Sequence, residues 1–225
     1  MISHKHKCIF IHIPKCAGTS IEKTFGHFEE YSGYYKQDHR SIRMIEPIYS
    51  NVFASKENSM EFLKRLWIHI KPPSNPRNRY SVSRDQYENY FKFTFVRNPW
   101  ARAYSWYKNV MRDHLHLKKM RISNEISLYD FLERFKNKTA LRAQTFWIKN
   151  SNGDIPLDYI GRFENLDNDF EKICNLMKIE PLKLPHELKG AANSSHQDAY
   201  DSKTIDLISS IYREEIELFG YSFDS

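Results

Sequence analysis

Apolar positions along this chain alternate between short unbroken runs and helical repeats, the order of an α/β protein. Residues 8–13 (CIFIHI) are apolar except for His12, and Pro14 closes the run, which predicts a buried strand. Gly18 then permits a tight turn, and Thr19 and Ser20 can cap a helix running on through Ile21 and Phe25. After the break at Gly26, residues 31–37 (YSGYYKQ) predict a short aromatic strand. Ile42 and Ile45 stand at helical spacing, with Pro47 as a stop. Met60, Leu63, Leu66 and Trp67 recur with helical period and predict a helix near Ser59–His69.

The stretch KPPSNPRNRYSVSR is a loop carrying Lys71, Arg77, Arg79 and Arg84, either a basic substrate lip or a solvated connection. FKFTFV (91–96) alternates aromatics and β-formers and predicts a central strand. Asn98 as N-cap and Pro99 as first helical residue then start a helix. Trp100, Tyr104 and Tyr107 share one face of it, as core packing requires. SLYDFLERF predicts a helix, and a strand ending in GRFE leads to another with Phe170, Ile173, Cys174 and Met177 on one face. A polar loop at 183–200 precedes a last amphipathic helix, Ile205 to Phe219, stopped by Gly220.

Composition narrows the class. The chain has 225 residues, enough for one domain with a sizeable core, and 40% hydrophobic with 15% aromatic content argues against disorder. A formal charge of +6 admits a nucleotide, a nucleic acid or an acidic glycan as partner, and equally a merely solvated basic surface. Cys8, Cys16 and Cys174 make no disulfide framework, and no Cys/His spacing marks a zinc site. Cys8 and Cys174 are expected in the core. The apolar run after the basic N-terminus is too short for a signal-peptide core or a membrane span, which makes the cytoplasm the default compartment.

The chemistry gathers at two places. A strand, a turn holding Lys15, then a helix start makes an anion site from unpaired N–H groups and the helix dipole. It is not the nucleoside-triphosphate loop, because Lys15 stands four residues before Thr19 rather than directly before the hydroxyl. In the second place, Arg97 at a strand's carboxyl end and Ser105 two turns into the next helix can converge on one anion.

The order PKxxGTS, followed about 80 residues later by RNPxxRxxSxY, resembles the sulfotransferases that use 3′-phosphoadenosine 5′-phosphosulfate (PAPS), in their carbohydrate sulfotransferase-like branch. The similarity runs from Ile9 to the C-terminus, with residues 50–85 matching poorly. It implies a three-layer, P-loop-like α/β fold with a central, mostly parallel sheet of four or five strands flanked by helices, in a single domain over 1–225. Residues 50–90 would be a variable insertion on the acceptor side. It also implies PAPS as donor, adenosine 3′,5′-bisphosphate as product, no metal, and a glycan or small-molecule acceptor. No nucleic-acid partner and no membrane span are expected.

Carried onto this sequence, the backbone of Lys15, Cys16, Ala17 and Gly18 with Thr19 and Ser20 would hold the 5′-phosphosulfate, and Lys15 would follow charge onto the leaving phosphate. Arg97 and Ser105 would hold the 3′-phosphate. Arg162, in a GRFENL-like stretch, and Lys189, Ser194 and Ser195, in the last loop, complete the candidate contacts. Arg142 and Gln144 match an HxRPQ-like segment in which Ala140 replaces the His. His39 is the candidate base, because an imidazole titrates near working pH and relatives place a His before a Ser/Thr and a helix. Asp38 and Glu46 are fallbacks, and nothing in the sequence gives Cys16 the His-paired setting of a nucleophile. A nucleotide kinase or NTPase, or a non-catalytic binder of nucleic acid or acidic glycan, are the competing classes.

Overall fold

A computed structural model describes residues 1–47, 51–185 and 196–225. Four strands, β1 (Ile2–Ser3), β2 (Cys8–Ile11), β3 (Phe91–Val96) and β4 (Tyr159–Arg162), form one sheet in the order β1-β2-β3-β4. The helices, in chain order, are α1 (Gly18–Thr24), α2 (Ile42–Ile45), α3 (Lys56–Ile70), α4 (Arg84–Asn89), α5 (Pro99–Arg112), α6 (His114–Met120), α7 (Leu128–Phe135), α8 (Gln144–Ile148), α9 (Leu166–Leu176), α10 (Ser202–Ile211) and α11 (Arg213–Phe219). The chain divides into two compact units, one of Met1–Val96 and Phe146–Leu188, the other of Arg97–Thr145 and Lys189–Ser225.

The first unit holds the whole sheet and is the expected α/β architecture, a mostly parallel sheet with flanking helices. β2 pairs in parallel with β3, Phe10 opposite Phe93, and β3 with β4, Phe95 opposite Gly161. Parallel strands covered on both faces read as continuous apolar runs, as CIFI and FTFV do. Ile9, Phe10, Ile11, Phe93 and Phe95 are fully buried, and Phe25 and Phe170 pack against that aromatic core. Gly161 is a glycine for lack of room, since a Cβ there would lie 2.5 Å from the Phe95 ring. Cys8 and Cys174 are both buried, as expected.

One strand is added and one expected strand is lost. The antiparallel strand β1 has no signature in the sequence, because two residues carry no period. Residues 31–37 form no strand. Tyr34 and Tyr35 are 80% and 73% exposed, and Tyr35 has a positive φ of 60°. The carbonyls of Lys36 and Gln37 are met instead by the Asn75 and Asn78 side-chain amides, at 2.8 and 3.1 Å. In the basic loop Lys71, Arg79 and Arg84 are exposed, while Arg77 is half-buried. Arg77 is tied to Glu29, Glu30 and the Gly26 carbonyl, bracing the segment after α1.

The second unit is helical. Asn98 caps α5 as the sequence predicts, its Oδ1 accepting from the N–H groups of Trp100 and Ala101. Phe131, Leu132, Leu141, Ile208 and Tyr212 form its core with Trp100 and Val110. The last predicted helix is two, α10 and α11, with Gly220 closing α11 at φ 63°.

Candidate functional site

β2 delivers its carboxyl end directly into the turn 12–17. Within it Lys15 and Ala17 both take left-handed backbone, φ 71° and 61°, which disfavours residues with a Cβ. Such angles at two non-glycine positions in one turn are held only by their surroundings and concentrate at binding sites. The turn hands over to α1 with Ala17 as N-cap and no side-chain cap. Thr19 and Ser20 therefore do not cap α1 as expected. They lie inside its first turn, Ser20 buried and Thr19 partly open. The first N–H groups of a helix have no intrahelical acceptor, and here no capping side chain takes them, so the turn retains backbone donors beside a half-exposed Lys15. Cys16 is 1% exposed, its Sγ set toward the Pro14 carbonyl, which removes it as a surface nucleophile.

What holds the turn in shape has no counterpart in the sequence pattern. The His12 ring lies against Gly18 so closely that a Cβ at Gly18 would stand 2.0 Å from His12 Cδ2 and 2.2 Å from Nε2. His12 is 3% exposed and its Nδ1 lies 3.1 Å from Glu22 Oε1. Burial pushes the His12 imidazole down to about 3 and the Glu22 carboxyl up to about 7. The contact is thus a neutral imidazole facing a carboxyl that titrates near neutrality. Glu22 Oε1 also accepts from the Asp38 backbone N–H at 3.0 Å, tying α1 to the segment 38–41. No periodicity singles out Glu22, since it reads as one more polar residue in a helix.

That segment brings His39 to the turn. The His39 ring centroid lies 4.2 Å from that of His12, and its Nδ1 donates to the His12 carbonyl at 3.4 Å. A carbonyl only accepts, so this bond puts the proton on Nδ1 and leaves Nε2 with its lone pair. Desolvation of the ring and the neighbouring His12 lower the His39 imidazole below its usual value. His39 is nonetheless an exposed residue, and solvent screens much of that depression. The expectation that His39 follows a strand and begins a helix does not hold. It follows an irregular loop instead, and the helix begins at Ile42 behind the N-cap Ser41.

The fallback bases are engaged elsewhere. Burial would raise the Asp38 carboxyl, but Arg40 and the N-terminal ammonium outweigh it and hold it well below the carboxylate range. Arg40 meets Asp38 through both Nε and Nη2, at 2.9 and 2.7 Å. Glu46 Oε1 accepts from the Ser151 N–H at 2.9 Å, and burial raises its carboxyl.

In the second unit Arg97 and Ser105 are both half-buried. The Arg97 backbone is gripped at both ends by one side chain: its N–H donates to Gln144 Oε1 and its carbonyl accepts from Gln144 Nε2, each at 2.8 Å. Gln144 is itself fully buried and donates to Glu215, from Nε2 at 3.0 Å and from its backbone N–H. Arg102, 1% exposed, donates to the carbonyls of Ala140 and Arg142 and lies 3.6 Å from Glu215. The sequence marks Arg102 and Gln144 only as motif letters. Gln144 fixes the backbone on which Arg97 stands and Arg102 fixes the carbonyls of Ala140 and Arg142, and a buried polar clamp gives no periodic signal.

Arg162, in the first unit at the end of β4, is exposed, with its N–H donating to Asp169 Oδ2 at 2.7 Å. Lys189, Ser194 and Ser195 lie outside the described residues.

Residues 1–222 match the model of a family described as the sulfotransferase family. An uncharacterized protein of Archaeoglobus fulgidus is 29% identical over 124 residues, spanning 55% of this chain and 92% of that protein. No solved structure matches the chain.

Proposed function

The chain belongs to the sulfotransferase family and so is a transferase of sulfuryl groups; we propose that its donor is PAPS and its acceptor the hydroxyl or amine of a glycan or small molecule. The observation that best supports this reading is the turn 12–17, whose left-handed Lys15 and Ala17 and whose Gly18 beneath His12 keep a side-chain-free helix start beside a Lys.

On this reading Lys15, Thr19, Ser20 and the backbone of Cys16, Ala17 and Gly18 hold the 5′-phosphosulfate. Arg97 and Ser105 hold the 3′-phosphate that separates PAPS from ATP, a guanidinium fork being suited to phosphate oxygens. Arg162, Lys189, Ser194 and Ser195 are further donor contacts. The acceptor oxygen attacks sulfur as the bond from sulfur to the phosphate oxygen breaks. The acceptor proton goes to His39 Nε2, and the charge left on the phosphate is met by Lys15. A neutral imidazole is the form this step needs, and a lowered pKa preserves it across the physiological range.

Transfer of label from [35S]PAPS to a panel of glycans and small hydroxyl compounds tests the reading. The wild type should label at least one acceptor, and Lys15→Ala should lower turnover on the order of 10²-fold. Transfer of the γ-phosphoryl of ATP to the same panel, with no sulfuryl transfer, would replace this reading by a kinase.

A further inference from the structure

Helix α3 is turned inside out. The side chains it buries are polar: Asn58 and Glu61 are 5% and 2% exposed. Asn58 Nδ2 donates to the Asn51 and Ser151 carbonyls at 3.1 and 2.9 Å, Glu61 accepts from the Ser41 hydroxyl, and Arg65 donates to the Glu46 carbonyl. Five of its seven apolar residues face solvent instead, Phe62 and Ile68 being half-buried: Met60, Leu63, Leu66, Trp67 and Ile70 are 37%, 61%, 44%, 57% and 73% exposed. At about 100° per residue these five fall in one arc of roughly 120° with no polar residue inside it except Lys56 and Ser59 in the first turn. Phe53, 71% exposed, extends it through its ring contact with Phe62. The helical repeat that predicts α3 from the sequence is thus an outward stripe and not a core face. A contiguous exposed patch of this kind marks an interaction surface.

The charges around the stripe choose the occupant. Lys56 stands at its start and Lys71 just past its end, both exposed, while Lys64 along one edge is paired with Glu61 and Glu57 is the one exposed acid of the helix. A second copy paired antiparallel across the stripe would set Lys56 of one chain beside Lys71 of the other, which is repulsive. An anionic, apolar-cored surface complements both features: Trp67, Leu63 and Ile70 enter the boundary layer while the lysines reach its headgroups. Among the described residues no helix is long and apolar enough to cross a membrane. We propose that α3 docks the protein on an anionic lipid bilayer, lying in the interface plane. This inference is independent of the donor and the acceptor.

Flotation of the full chain with phosphatidylcholine vesicles, with and without about 30% phosphatidylglycerol, tests it. The protein should float with the anionic vesicles and bind pure phosphatidylcholine at least about tenfold more weakly, with the difference shrinking as salt rises. The Leu63→Asp/Trp67→Asp variant should lose binding by more than about tenfold at an unchanged melting temperature, because both side chains face solvent. Lys56→Glu/Lys71→Glu should lose the preference for anionic vesicles. Absence of flotation at low salt, undiminished binding by Leu63→Asp/Trp67→Asp, or a lowered melting temperature showing the face to be packed would each overturn the proposal. A concentration-dependent dimer that Leu63→Asp dissolves, without vesicle binding, would assign the stripe to a second copy instead.

Discussion

Replacing Gly18 by Ala is the sharpest single perturbation of the turn, because two opposed effects make the sign informative. Gly18 lies outside the left-handed region and opens α1, so in open space the added methyl would favour the helix by about 0.5–1 kcal/mol. The space is not open. The new Cβ would stand 2.0, 2.2 and 2.5 Å from three atoms of the His12 ring. His12 cannot swing clear at low cost, since it lies against Glu22 at 3.1 Å, stacks on Phe10 and carries the carbonyl that receives His39. Overpacking of this kind costs about 1–3 kcal/mol or more, which outweighs the helix gain. The expected net loss is about 2 kcal/mol, a melting temperature lower by roughly 4–8 °C for a chain of this size.

The same displacement should weaken binding of adenosine 3′,5′-bisphosphate, because His12 leans on the helix start that would receive the phosphate. Thermal melting and calorimetric titration read the two effects. The His12→Ala/Gly18→Ala double variant supplies the control: with the ring gone the methyl should become neutral or stabilising, giving a coupling of about 2 kcal/mol or more between the sites. A Gly18→Ala protein that melts at or above the parent and binds equally well would refute the account of how the turn is held.

Two further outcomes follow from the same geometry. His39→Ala should lower turnover on the order of 10²-fold with donor affinity kept. The wild-type acid limb of kcat/KM should fall below pH 6.5, since a folded pKa below the usual value keeps the imidazole neutral to lower pH. The stability His39 lends by staying neutral is likewise present above 6.5 and lost as pH falls through the folded value. An acid limb above 6.5 would remove His39 from the role. Gln144→Ala deletes two hydrogen bonds to the Arg97 backbone and one to buried Glu215, and should cost about 2–3 kcal/mol in urea unfolding. A loss under about 0.5 kcal/mol would show that the clamp is dispensable.

The elements with a clean period are legible in the sequence: β2, β3, the N-cap and first turn of α5, and the apolar face of α9. Each is fixed by local chemistry, an unbroken β-branched or aromatic run or an Asn-Pro start. The proximity of His39 to the turn is legible too, though by way of a strand that does not exist. What the sequence hides lies in contacts without period. The Tyr-rich 31–37 segment carries strand-forming residues, yet two Asn side chains from 75–78 satisfy its carbonyls and leave it a loop. Gly18 reads as a flexible turn residue, whereas the structure makes it a spacer for His12. Gln144, Glu215 and Arg102 are polar groups in a core, invisible to a pattern that assigns polar residues to the surface. Helix α3 has the right period and the opposite orientation: its buried side chains are Asn58 and Glu61, hydrogen-bonded with Arg65 to the segments beneath, and its apolar stripe faces out.

The central claim, a donor that is a 3′-phosphorylated nucleotide, is tested most directly by ligand protection. Adenosine 3′,5′-bisphosphate at about 100 times its Kd should stabilise the protein by about 2.7 kcal/mol, while ATP with Mg²⁺ at the same concentration should protect far less. Arg97→Ala should erase most of the difference between the two. Equal or greater protection by ATP with Mg²⁺ would contradict the account.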